Sequence, residues 1–228
     1  MIGLKKIIRL FLAIVIAFAV SACSNNEENI NEESNETANQ ETTNEIDESN
    51  DSDKKALVVY FSRAGENYSV GYIEKGNTAL VAEEIIKQTG ADVFEIVPVE
   101  PYPESYDETT AVAKEEQNNN ARPKYKGSID NLDEYDVVFV GYPNWWGDMP
   151  MIMYTFLESN DLSGKTIVPF CTHGGSGFSS TQSTIQEMFS DANMLDGLAI
   201  AGTTAQNEHD TVKSEVTSWL NKLGLSLK

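Results

Sequence analysis

The sequence predicts an α/β protein built on a doubly wound parallel sheet, and three observations predict it. From Lys54 onward, five apolar runs alternate with five segments that carry apolar residues at helical spacing. The first run, Ala56 to Phe61, is unbroken by polar residues, as a strand buried on both faces requires. No internal repeat and no second linker interrupts the alternation, so one sheet with right-handed crossovers and helices on both faces accounts for it.

Each element has its own warrant. Leu80, Val81 and Ile85, flanked by Ala82 and Ile86, give the segment after Gly76 one apolar face and hence a helix. Ala91–Val97 reads as a strand closed by Pro98, and Pro101-Tyr102-Pro103 as a turn. A polar helix is expected over Tyr106–Asn118, stopped by Asn118-Asn119-Asn120. Asp136–Tyr142 reads as a central strand, Met149–Leu157 as a helix and Lys165–Cys171 as a strand in which Pro169 removes one ladder donor. Ser179–Phe189 reads as a helix and Leu195–Ala201 as the last strand. Asp210–Leu223 is a terminal helix with Val212, Val216, Trp219 and Leu220 inward.

The chain ahead of this domain has a different character. Lys5, Lys6 and Arg9 precede an apolar run from Leu10 to Val20, shorter than the ~20 residues a membrane span needs. Val20-Ser21-Ala22-Cys23 resembles a bacterial lipobox, which implies a signal peptide over 1–22 and lipid on Cys23; a plain secretory signal is the other reading. Residues 23–53 are rich in Asn, Glu, Ser and Thr, so they are expected to form a disordered acidic tether. The domain then spans 54–228, outside the cytoplasm and lipid-anchored to a membrane. Much of the formal charge of -20 lies in the tether, yet the domain is still acidic, which argues against nucleic acid as a partner. Cys171 has no partner cysteine once Cys23 is lipidated, and reads as a small buried hydrophobe.

Chemistry is expected in the loops at the strand carboxyl ends, where such sheets bind ligands. The first loop joins Ser62-Arg63-Ala64 to Gly76-Asn77-Thr78 and opens a helix, whose amino end suits a phosphate; an ordinary βα turn fits equally. The second is Pro143-Asn144-Trp145-Trp146-Gly147, where adjacent indoles in a loop suit a flat ring or plug the sheet edge. The third, Thr172-His173-Gly174-Gly175-Ser176-Gly177, offers backbone N–H groups with little bulk. His173 could protonate a substrate, contact a ring edge or position the loop. His209 reads as surface, beside Asp210 as a helix cap.

Taken together and in this order, the three loops resemble a flavodoxin from about Lys55 to the C-terminus. The resemblance implies five parallel strands in the order 2-1-3-4-5 around noncovalently bound FMN. It implies that Ser62, Ala64, Asn77 and Thr78 hold the phosphate, with Arg63 pairing with it or covering the loop. Pro143, Asn144, Trp145, Trp146 and Gly147 would flank the isoalloxazine, and Thr172, His173, Gly174, Gly175, Ser176 and Gly177 would meet its other edge. An acidic, apolar surround is expected to disfavour an anionic reduced ring. A backbone carbonyl between Asn144 and Gly147 is expected to receive the ring proton, with Gly147 permitting a peptide flip. The stretch Gly65–Lys75 departs from a compact phosphate loop and either shapes a pocket, with Tyr68 or Tyr72 near the ring, or is a surface excursion.

The function implied is electron transfer to a partner protein. The alternative is an FMN-dependent reductase of quinones or similar small acceptors. Gly174-Gly175-Ser176-Gly177-Phe178 also approaches a hydrolase nucleophile elbow, but Phe178 stands where the closing glycine belongs.

Overall fold

The computed structural model describes residues 54–225 and residue 227. The expected lipidation at Cys23, signal peptide over 1–22 and tether over 23–53 lie outside the described residues. No helix among the described residues is long and apolar enough to cross a membrane.

The central strands are β1 (Ala56–Tyr60), β4 (Asp92–Glu95), β7 (Val137–Pro143), β8 (Thr166–His173) and β10 (Leu198–Ala201). They pair in parallel in the spatial order β4-β1-β7-β8-β10, the expected 2-1-3-4-5. Val58 and Val59 of β1 and Phe139 and Val140 of β7 are wholly buried, which is why these runs carry no polar alternation.

The helices α1 (Asn77–Thr89), α2 (Tyr106–Asn118), α3 (Met151–Ser159), α4 (Thr181–Met188), α5 (Gly202–Asn207) and α6 (His209–Leu223) cover the two faces. One core gathers Leu57, Val59, Phe61 and Val140 with Ile152, Met153 and Phe156 of α3 and Ile185 of α4. The other gathers Val58, Phe139 and Phe170 with Val81, Ala82 and Ile85 of α1 and Val212, Val216 and Trp219 of α6. Leu220 packs against this second core from its edge. Cys171 is buried, and burial pushes its thiol pKa up to about 12, so it acts as a hydrophobe.

Several boundaries differ from the sequence expectation. The run Ala91–Val97 is not one strand. Ile96 donates its N–H to the Tyr60 carbonyl, and then Val97–Pro98 (β5) turns away to pair antiparallel with Tyr125–Lys126 (β6). The last strand is split into Asn193–Met194 (β9) and β10, both paired with β8. Ile167 O accepts from Leu195 N–H, so by alternation Pro169 also faces this neighbour, and its missing donor lies opposite the split. Helix α6 begins at His209 after Glu208, so Asp210 lies in the first turn and is not a cap. The sequence did not predict α5, the 3-10 turn Leu132–Glu134, or the antiparallel hairpin of β2 (Gly65–Asn67) and β3 (Gly71–Ile73).

Candidate functional site

A cavity of about 350 Å³ opens at the carboxyl ends of β1, β7 and β8, within the usual ~300–1,000 Å³ of ligand pockets. It is built from the three loops that the sequence singled out, with contributions from α2 and the β2–β3 hairpin.

The loop from β1 to α1 forms one end. Ser62 Oγ accepts the Ala79 N–H at 3.0 Å, so the serine organises the helix amino terminus from outside. A β-carbon on Gly76 would overlap Ser62 Oγ and the Arg63 backbone, so the approach of these chain segments requires glycine. Leu80 N–H donates to the Gly76 carbonyl at 3.3 Å. The Asn77 and Thr78 N–H groups find no acceptor among the described residues, which leaves the positive end of α1 free to receive an anion. Asn77 lines the cavity, its Oδ1 fixed by Gln206 Nε2 at 2.9 Å. Thr78 is buried, its hydroxyl 2.8 Å from that of Thr172. Ser62, Ala64 and Thr78 do not themselves line the cavity.

Arg63 lines the cavity, but its guanidinium is largely spent on the backbone. It donates to the carbonyls of Pro103, Glu66, Glu104 and Ser105 at 2.7–3.3 Å. This fork ties the β2–β3 hairpin to the turn before α2. Glu66 strengthens the tie, since its Oε2 accepts the Tyr106 N–H at the start of α2.

The two tryptophans divide the two roles that the sequence left open. Trp145 packs edge-on against Phe61 and Tyr102, with centroids 5.5 and 5.1 Å away, so it closes the core beneath the cavity. Trp146 is 56 % exposed; its Nε1 donates to the Thr110 carbonyl of α2 at 3.0 Å and Lys114 Nζ lies 5.2 Å from its ring. Trp146 and Gly147 have φ of +56° and +78°, and Asp148 N–H donates to Trp145 O, as in a type I′ turn. The turn is held from below by Asn144, whose Oδ1 accepts the Gly147 N–H while its Nδ2 donates to Gly177 O. Pro143, Asn144, Trp145, Trp146 and Gly147 all line the cavity.

In the third loop, Thr172, His173, Gly174 and Ser176 line the cavity, while Gly175 and Gly177 do not. His173 Nδ1 accepts the Gly175 N–H at 2.9 Å, which places the proton of the neutral ring on Nε2. Partial burial lowers its pKa, so the imidazole is neutral at neutral pH. Among the described residues the elbow-like serine Ser176 has no assembled triad. Asp196 pairs with Lys222 at 2.8 Å, and neither Asp196 nor His209 lines the cavity.

Sequence reasoning missed the contribution of α2 to the wall, from Tyr106, Thr109, Thr110 and Ala113, and that of Gly202 from α5; of the stretch Gly65–Lys75, read as either a pocket wall or a surface excursion, Asn67 and Tyr68 line the cavity and Tyr72 does not. The expectation of an acidic surround is also corrected. From Lys54 onward the chain has 25 acidic and 13 basic residues, yet among the described residues no Asp or Glu lines the cavity. Its ionisable lining is Arg63, His173, Tyr68 and Tyr106. The arrangement fits a ligand with a flat ring and an anionic end. Among the described residues no cluster of His, Cys, Asp and Glu is arranged to hold a metal ion.

A strand-helix architecture with its cavity at the strand carboxyl ends and an open helix amino terminus defines a flavodoxin-like α/β protein. The flavodoxin family model matches residues 55–223, and the chain belongs to that family. It is similar to a protein of Bacteroides eggerthii named as a flavoprotein, at 31 % identity over 75 % of this chain and 99 % of that one, with a TM-score of 0.60. A Bacteroides uniformis protein named in the same way is 28 % identical over 74 % and 99 % of the two chains, with a TM-score of 0.58. A Lactobacillus acidophilus flavoprotein solved in complex with FMN is 21 % identical over 69 % and 99 %, with a TM-score of 0.52. No curated protein matches the chain.

Proposed function

We propose that this protein binds FMN noncovalently in the cavity and transfers electrons, tethered outside the cytoplasmic membrane through lipid on Cys23. The observation that carries the reading is the cavity itself. It joins the amino end of α1 at Asn77 to a flat aromatic and glycine wall, and among the described residues no carboxylate lines it. A phosphate ester would sit at the Asn77 amide, beside the Ser62 turn, where the helix dipole favours negative charge. The Trp146 face and the backbone of Thr172 to Ser176 would border the ring. Bound flavin supplies the redox chemistry; the protein supplies binding, orientation and electrostatics. His173, neutral and carrying its proton on Nε2, offers a donor at the wall of the cavity.

The partner acts as an electron donor or acceptor and is not nucleic acid. A second reading is a reductase of quinones or similar small planar acceptors, favoured by the exposed rings of Tyr68, Tyr106 and Trp146 around the mouth. Comparing electron delivery to a redox protein with delivery to a soluble quinone separates the two. Fractionation of cells making the Cys23→Ser form tests the tether: release of the protein from the membrane supports lipidation, and an unchanged membrane fraction refutes it.

A further inference from the structure

We infer that the β2–β3 hairpin is part of the ligand site, and that Tyr68, laid across Gly174, retains the planar ring in the cavity. The inference rests on the FMN reading and assigns a role to the inserted segment. The base of the hairpin is fixed by the Arg63 fork and by the Glu66 N–H, which donates to the Glu104 carbonyl at 2.8 Å. Asn67 Nδ2 adds a bond to the Gly65 carbonyl at 3.1 Å. Its tip therefore reaches the cavity from a braced support.

Tyr68 at that tip is 58 % exposed and still lines the cavity. Its ring centroid lies 6.1 Å from that of Tyr106 on α2. On the other side it meets the glycine loop: a β-carbon on Gly174 would stand 2.6 Å from Tyr68 Cδ1 and 3.0 Å from Cε1. The ring can lie across the loop because residue 174 has no side chain. Tyr68 thus bridges the hairpin, α2 and the third loop. Tyrosine suits this post because it offers a large flat surface at the cost of two torsions. Tyr72 provides the contrast, being on the same hairpin and 63 % exposed but outside the cavity wall.

The test is the FMN dissociation rate of the purified protein and its variants, read by the return of flavin fluorescence. Tyr68→Ala is expected to release FMN about tenfold faster, the scale of one lost aromatic pair with its buried area. Tyr68→Phe should stay within about twofold of wild type because the ring is kept, and Tyr72→Ala should not change the rate. Gly174→Ala displaces the ring, so it should speed release in the wild-type background, and that effect should shrink when Tyr68 is already alanine. An unchanged rate in Tyr68→Ala, or an equal effect of Tyr72→Ala, overturns the inference. A wild-type protein that holds no FMN removes the FMN reading along with it, a result distinct from tight binding that ignores Tyr68.

Discussion

The hydroxyls of Thr78, at the start of α1, and Thr172, near the end of β8, lie 2.8 Å apart, and both residues are buried. This pair joins the helix amino terminus to the third loop across 94 residues of chain. Thr172 lines the cavity and Thr78 stands behind it, so Thr78 positions a cavity hydroxyl and does not reach the cavity itself.

Removing one member of this pair leaves the other buried without a partner. Thr78→Val or Thr172→Val should each cost about 1–3 kcal/mol in urea unfolding, while the double variant should recover much of the loss. Simple addition of the two costs would show that the hydroxyls are not coupled.

Adjacent tryptophans should behave unlike one another. Trp145→Ala empties a place between Phe61 and Tyr102 and should destabilise the fold by about 3–5 kcal/mol. Trp146→Ala removes an exposed ring in a left-handed conformation and should change stability by less than about 1 kcal/mol, though it weakens FMN binding. Urea unfolding alongside FMN titration separates the two effects.

Arg63 should prove structural. Arg63→Ala frees the hairpin from Pro103, Glu104 and Ser105 and should cost at least about 1.5–3 kcal/mol. Lysine should not rescue it, because an ammonium cannot reproduce the guanidinium fork. Hydrogen exchange over 65–75 should rise in both variants, and protection equal to wild type would contradict the bracing role.

A pH dependence follows from Glu116, whose Oε2 accepts the Tyr102 hydroxyl at 2.9 Å beneath Trp145. Burial raises its pKa above the ordinary carboxylate value, against the opposing effect of the Tyr102 hydrogen bond. The native state therefore binds a proton more readily than the unfolded chain. This contribution to stability is present at low pH and is lost as pH rises through the raised pKa. Glu116→Gln keeps an acceptor for Tyr102 and removes the charge. It should be more stable than wild type at pH 7–8, with the advantage shrinking on acidification into the carboxylate range. A constant difference between the two unfolding curves across pH would refute this.

The legible parts of the fold were those whose residues are buried on a repeating pattern. Val58, Phe139 and Val168 announce their strands because the sheet is covered on both sides, and Val81 and Ile85 announce α1. The hairpin was illegible because β2 and β3 have three residues each, and distant carbonyls of residues 103–105 hold its base. Helix α5, Gly202–Asn207, carries little apolar periodicity. Val97 belongs by composition to the run before it, yet β6 draws it away.

The three loops of the site were visible as unusual compositions, since chemistry of this kind needs glycine, hydroxyl and indole groups at strand ends. Which indole packs against Phe61 and Tyr102 and which stays exposed depends on neighbours that sequence spacing does not reveal. That no carboxylate among the described residues lines the cavity was likewise hidden, because net charge carries no position.

The most direct measurement is a visible-absorption titration of the purified protein with FMN, followed by stepwise reduction. A one-to-one complex with a perturbed flavin spectrum is expected, weakened by Trp146→Ala and by substitution within Thr172 to Ser176. A spectrum that remains that of free FMN at every protein concentration would show that the cavity does not bind FMN and leave a flavodoxin fold without that cofactor.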